Sequence, residues 1–310
     1  MSREIERTFD LFGTGARLLV LPATEDAERR VAMLERHLRD VHRRLTRFHP
    51  ASELSRLNAD PRGAVPVSQL LEQAVAAALR AAQSSGGLAD PTLLPELVAA
   101  GYGSSLAGRT PAPLARALRG APRRRPARAA RPARWRQVSV SAGRITRPPG
   151  VRLDLGGSAK GFAADMCAAL LAGQHAFAVD LGGDVRIGGT GGVERVVEVE
   201  HPLTGGSAHS FAIAGGAVAT SGIARRVWER RGAFGHHLID PATGRPAWTG
   251  VIQATALAPT GLEAEALAKA ALLSGPERGM QVLAPRGGVL VLDDGEVYLA
   301  RPAARAAVAA

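Results

Sequence analysis

The stretch Asp154-Leu-Gly-Gly-Ser-Ala-Lys-Gly161 decides how this chain is read. Val151, Leu153 and Leu155 alternate with Arg152 and Asp154, the period of a strand, and Gly156-Gly157 let the backbone turn without a Cβ clash. Beyond Gly161 the apolar residues Phe162, Met166, Ala169 and Leu170 fall at helical spacing. The expectation is a strand, a glycine turn and a helix. Such a junction aims free N–H groups and a positive dipole end at the turn, and Lys160 adds a full charge there. An anion, above all a phosphate, is the expected occupant. Many strand-to-helix junctions hold no ligand, but two features favour one here. Lys160 is one of two lysines in a chain with 39 basic residues, and Asp-Leu-Gly-Gly returns at Asp180 to Gly183, followed by Asp184.

Outward from that stretch the chain divides by composition. Its 310 residues suffice for a sizeable core, as one large domain or two small ones. The net charge of +11 invites a nucleic-acid reading, yet thirteen arginines and no acid lie between Gly101 and Leu153, so the rest is close to neutral. Within that segment, residues 109–134 form an Arg/Pro/Ala-rich run without aromatics for base stacking. It is expected to be a solvated, disordered loop, and no nucleic-acid partner is expected. The single cysteine, Cys167, excludes an intrachain disulfide and a cysteine metal cluster. A charged N-terminus and the lack of a long apolar run lead to the expectation of a cytoplasmic protein with no integral membrane segment.

Toward the N-terminus, Phe9, Leu11, Ala16, Leu18 and Val20 alternate around Gly13-Thr14-Gly15, which predicts a strand with a bend. Ala27, Val31, Leu34, Leu38, Val41 and Leu45 predict a long amphipathic helix over 25–48. Ser52 to Asn58 suits a loop, and a second helix over 68–84 is capped by Ser68. Toward the C-terminus, strands are expected at 176–180, 193–200, 210–213, 217–219 and 251–258. A helix is expected over 260–273, and strands at 279–283, 288–292 and 296–299. The class is therefore α+β, with a mixed, largely antiparallel sheet and flanking helices. The glycine turns do not follow the Gly-x-Gly-x-x-Gly spacing of a dinucleotide fold.

Taken together, Ser52-Glu-Leu-Ser-Arg-Leu-Asn58, Asp90-Pro-Thr92, Asp154 to Gly161 with Asp165, Asp180 to Asp184, Ala219-Thr-Ser-Gly222, His237-Leu-Ile-Asp-Pro241 and Pro259 to Glu265 resemble the ApbE family. These are the FAD:protein FMN transferases. The resemblance implies one ApbE-like, T-fold-like domain over 1–310, with FAD as substrate. It also implies magnesium on the FAD pyrophosphate, and a target flavoprotein whose Ser or Thr hydroxyl takes FMN as AMP leaves. It further implies His237 and Lys160 as catalytic residues. Ser55, Asn58, Asp90, Gly156, Gly157, Ser158, Ala159, Lys160, Asp165, Asp180, Gly182, Gly183, Asp184, Thr220, Ser221 and His237 are implied to bind FAD, and Ala159 with Glu265 the metal.

One position departs from the pattern. The family has an Asp and, four residues on, a Thr as metal ligands, where this sequence has Glu265 and Lys269. An ammonium cannot ligate a cation. A non-catalytic FAD-binding homologue and an FAD pyrophosphatase giving FMN and AMP therefore stand beside the transferase as alternatives.

Overall fold

In the computed structural model, which describes residues 3–302, eight strands form one sheet that is antiparallel throughout. They are β1 (Ile5–Leu11), β2 (Thr14–Leu21), β3 (Ala176–Leu181), β4 (Val185–Gly188), β5 (Gly216–Gly222), β6 (Val251–Ala258), β7 (Gly288–Leu292) and β8 (Val297–Ala300). They lie side by side in chain order. The sheet is thus wholly antiparallel rather than mixed. Long insertions carry the helices: α1 (Glu25–Leu45), α2 (Gln69–Ser84) and α3 (Ala159–Leu171) between β2 and β3, and α4 (Gly261–Ser274) between β6 and β7. The chain is therefore two strand-pair, helix, strand-pair halves joined edge to edge.

Local chemistry explains the elements. Phe12 and Gly13, both with positive φ, make a two-residue turn that joins β1 to β2, so the expected bend is a hairpin. Thr24 accepts a hydrogen bond from the Ala27 N–H to start α1, and its six apolar residues at helical spacing are all buried. Ser68 caps α2 in the same way. Ser52 also caps a helix, Glu53–Ala59, where a loop was expected. Residues 279–283, read as a strand, belong to a helix, Pro276–Leu283, because Pro276 with its fixed φ is preorganised for a first turn.

Residues 151–155 keep the expected alternation, with Val151, Leu153 and Leu155 buried, but pair with no strand. Their backbone is held by side chain and loop instead. Asn58 accepts from the Leu153 N–H at 2.7 Å and donates to its carbonyl at 2.8 Å, and the Asp154 N–H donates to the Pro91 carbonyl. One amide side chain thus replaces a β-ladder partner.

The Arg/Pro/Ala-rich run at about 109–134 is not a detached loop. Ala117 and Ala127 are buried in the core of the C-terminal half. The Arg125 N–H donates to the Trp248 carbonyl, the Ala127 N–H to the Leu273 carbonyl, and Arg124 pairs with Asp293 at 2.5 Å. Alanines and backbone amides bind this strap, while most of its arginines point to solvent. The two halves meet where α3 crosses α4. There a Cβ on Gly161 would lie 2.5 Å from the Gly261 carbonyl oxygen, so the crossing exists only without a side chain. Asp165 holds the start of α4, accepting from the Gly261 and Leu262 N–H groups at 2.7 and 3.0 Å. Among the described residues no helix is long and apolar enough to cross a membrane.

Candidate functional site

The N-terminus of α3, the β3–β4 turn, the end of β5 and one face of α4 enclose a cavity of about 950 Å³. That volume suits a large, nucleotide-sized ligand. Gly156, Gly157, Ser158, Ala159 and Lys160 form its floor, and Gly182, Gly183 and Asp184 stand beside them. Lys160 is ion-paired with buried Asp184, whose other oxygen accepts the Thr220 N–H at 3.0 Å. Thr220 in turn shares a 2.9 Å hydrogen bond with Thr255, which fixes its hydroxyl at the cavity edge.

α4 supplies the charges above this floor. Glu265 is 5% exposed, and its Oε2 accepts the Gly161 N–H at 2.9 Å. Burial and the nearby Asp184 carboxylate push its carboxyl above the usual range. One helical turn later, Lys269 Nζ donates to the Gly157 carbonyl at 2.9 Å. Burial lowers the pKa of this ammonium, while Glu265, Asp154 and Asp184 pull it back up.

His237 lines the cavity, its Nδ1 buried without a partner. Burial, with Arg226, His236, Lys269 and Lys160 nearby, drives its pKa well below that of a free imidazole. The ring is neutral near pH 7. His236 faces the other way. Packed on Trp248 at 4.7 Å between ring centroids, it is held by burial at about 3 and serves the core. Asp90 also lines the cavity. Its Oδ1 accepts both the N–H and the hydroxyl of Thr92, its Oδ2 is buried without a partner, and burial raises its pKa.

Of the residues expected to bind ligand, the structure brings Asp90, Gly156 to Lys160, Gly182 to Asp184, Thr220, Ser221, His237, Glu265 and Lys269 to one cavity. Ser55, Asn58, Asp165 and Asp180 do not line it. Asn58 and Asp165 are occupied with backbone, as described above. Ser55 gives its N–H to the Ser52 cap, and Asp180 accepts the Gly183 N–H at 2.8 Å to hold the β3–β4 turn.

One wall had no sequence motif to announce it. Arg47, just after α1 with its side chain buried, lies over the rings of Phe48 at 4.2 Å and Tyr102 at 4.6 Å, pairs with Asp154, and donates to the Tyr102 carbonyl at 2.8 Å. Tyr102 stacks on Trp228 at 5.7 Å and meets His237 edge-on at 6.4 Å. The only signal was one of two tyrosines, set between Gly101 and Gly103. The partners that give it meaning come from distant segments.

The model of the ApbE family matches residues 12–292. A FAD:protein FMN transferase of Rhodobacter capsulatus is 30% identical over 98% of this chain and 58% of its own length. One from Treponema pallidum is 36% identical over 50% of this chain and 49% of its own. The chain thus spans about half the length of these two relatives. Among solved structures, the ApbE protein of Thermotoga maritima superposes with a TM-score of 0.79 at 24% identity, covering 96% of this chain and 97% of that one. The flavin transferase ApbE of Vibrio cholerae gives 0.73 at 25%, covering 97% and 98%.

Proposed function

The chain belongs to the ApbE family, and from that membership we propose that it is an FAD:protein FMN transferase. It moves the FMN half of FAD to a serine or threonine hydroxyl of a target flavoprotein and releases AMP. The observation that carries this reading is that the family match runs through every wall of the cavity, from Phe12 to Leu273.

The chemistry asks three things of the chain. The hydroxyl oxygen must form a bond to the phosphorus of the FMN phosphate, the bond from that phosphorus to the AMP oxygen must break, and the hydroxyl proton must leave. His237 accepts that proton, since it lines the cavity and its Nδ1 has no partner within the protein. Lys160 and the backbone at the N-terminus of α3 offset the negative charge on the phosphates as it moves toward AMP. The orphaned Oδ2 of Asp90 is placed to meet a polar group of the ligand.

Magnesium, which the family resemblance implies, does not fit the side chains present. It demands near-octahedral oxygen ligands. On α4, Glu265 already gives one oxygen to the Gly161 N–H, and Lys269 brings an ammonium that cannot ligate. Among the described residues no three His, Cys, Asp or Glu side chains are grouped to hold an ion.

Incubation with FAD, with and without a flavoprotein bearing an acceptor Ser or Thr, tests the reading. The expected result is AMP released together with flavin that stays on the acceptor after acid precipitation. FMN and AMP released equally without acceptor would favour a pyrophosphatase, and FAD bound without turnover a non-catalytic homologue.

A further inference from the structure

Building on the flavin reading, we propose that Lys269 is a resident counter-ion. Its ammonium supplies, at the glycine turn of the cavity, positive charge that a divalent ion would otherwise bring to the phosphates, so the protein binds FAD without magnesium. Lys269 follows Glu265 by four residues on α4, which puts both side chains on one face. That face is turned into the cavity, since both line it. Glu265 is not half of a solvent-facing pair, because it is buried and its Oε2 is bound to the Gly161 N–H. Nζ of Lys269 sits against the phosphate-facing turn itself. It donates to the Gly157 carbonyl at 2.9 Å, and a Cβ on Gly157 would collide with it.

Gly157 carries the inference further. Its φ lies outside the left-handed region, so handedness does not require glycine at this position. Its missing side chain instead makes room for the ammonium of Lys269. An ammonium has three N–H groups. The Gly157 carbonyl takes one, leaving two to reach phosphate oxygens at the floor of the cavity. Asp184 pairs with Lys160, and the carboxyls of Glu265, Asp154 and Asp184 lie near enough to Lys269 to favour its charged form against burial. A divalent ion entering the same place would meet the ammonium as a like charge or have to evict it.

The test is calorimetric titration of FAD into the wild-type chain, once in EDTA and once in millimolar magnesium. The expected dissociation constants agree within about twofold, and magnesium alone titrated into the FAD-loaded protein gives no stoichiometric heat. Lys269→Met should weaken FAD binding by about 30-fold, the loss of one charge-assisted contact, while riboflavin, which has no phosphate, binds as before. Lys269→Thr with Glu265→Asp should bind FAD tightly only with magnesium. FAD binding by the wild type that strengthens tenfold or more in magnesium overturns the proposal and leaves the flavin reading standing. Absence of FAD binding in both conditions overturns both. If Lys269→Met does not fold, the wild-type comparison decides alone.

Discussion

At Asp154 to Gly157 the tetrapeptide Asp-Leu-Gly-Gly runs into the helix α3, whereas at Asp180 to Gly183 the same four residues turn β3 into β4. Both aspartates fold a side-chain oxygen back on a glycine N–H, Asp154 onto Gly156 at 2.9 Å and Asp180 onto Gly183 at 2.8 Å. The glycines differ. Neither Gly156 nor Gly157 is in the left-handed region, while Gly182 and Gly183 have φ of 72° and 90°. The first pair is glycine for room, whereas both members of the second need the left-handed region and Gly182 needs room as well. One tetrapeptide thus exploits two separate properties of a missing Cβ, and only the surroundings decide which.

The aspartates should separate most widely. Asp154 is also ion-paired with Arg47, whose side chain is 5% exposed, whereas Asp180 makes no ion pair among the described residues. Asp154→Asn keeps an oxygen for Gly156 but leaves a buried guanidinium without its counter-charge, a loss of about 3 kcal/mol. Asp180→Asn keeps the turn and should cost less than about 0.5 kcal/mol. Urea unfolding of both variants reads the difference, and equal losses would mean that the Arg47 pair contributes nothing.

That contrast also marks what the sequence could disclose. Alternation at Val151 to Leu155 and helical spacing after Gly161 were legible because burial repeats with the local period. The missing strand partner was not, because Asn58 supplies it from a position 95 residues away. Ser68 and the apolar stripe of α1 are local signals and were read correctly. Arg47, Tyr102 and Trp228 assemble from three segments, and no local pattern links them. Arginine and proline in residues 109–134 suggested a solvated loop, yet the small Ala117 and Ala127 are what dock it. Asp165, Asn58 and Asp180 match the pattern of ligand contacts, but a short polar side chain beside a glycine turn serves equally well to satisfy backbone.

Gly182 tests both uses of glycine at once. A Cβ there would collide with Thr14 across the sheet, and its φ is left-handed as well. Gly182→Ala should therefore cost about 2 kcal/mol, adding an overpacking penalty to a left-handed one. Combining it with Thr14→Ala removes the contacts at 2.3 and 2.7 Å but keeps the one at 3.0 Å to the Thr14 Cβ, so it should recover part of the steric share and leave somewhat more than about 1 kcal/mol, the left-handed share. A double-mutant cycle with no coupling would show that Thr14 is not the obstacle.

Gly157→Ala should reverse the usual ranking of effects. Alanine suits its backbone, so the free energy of unfolding should fall by no more than about 1 kcal/mol. The new methyl displaces Lys269 Nζ, and FAD affinity should drop about tenfold. Thermal unfolding and FAD titration of the same sample separate the two. A large stability loss with unchanged FAD affinity would place Lys269 among structural residues.

The smallest effect belongs to Gly183, and it isolates handedness from space. A Cβ built there meets nothing within 4 Å, so the only cost of a side chain is its φ of 90°. Gly183→Ala should therefore lose about 1 kcal/mol, the penalty of one left-handed alanine. Asparagine enters that region more readily, so Gly183→Asn should lose about half as much despite its larger side chain. The inversion of size and cost is the diagnostic: at Gly157 a larger residue must hurt more, whereas here it should hurt less. Equal losses for Ala and Asn would mean that the turn relaxes to another shape, and Asp180, which holds the Gly183 N–H, would then have to move with it.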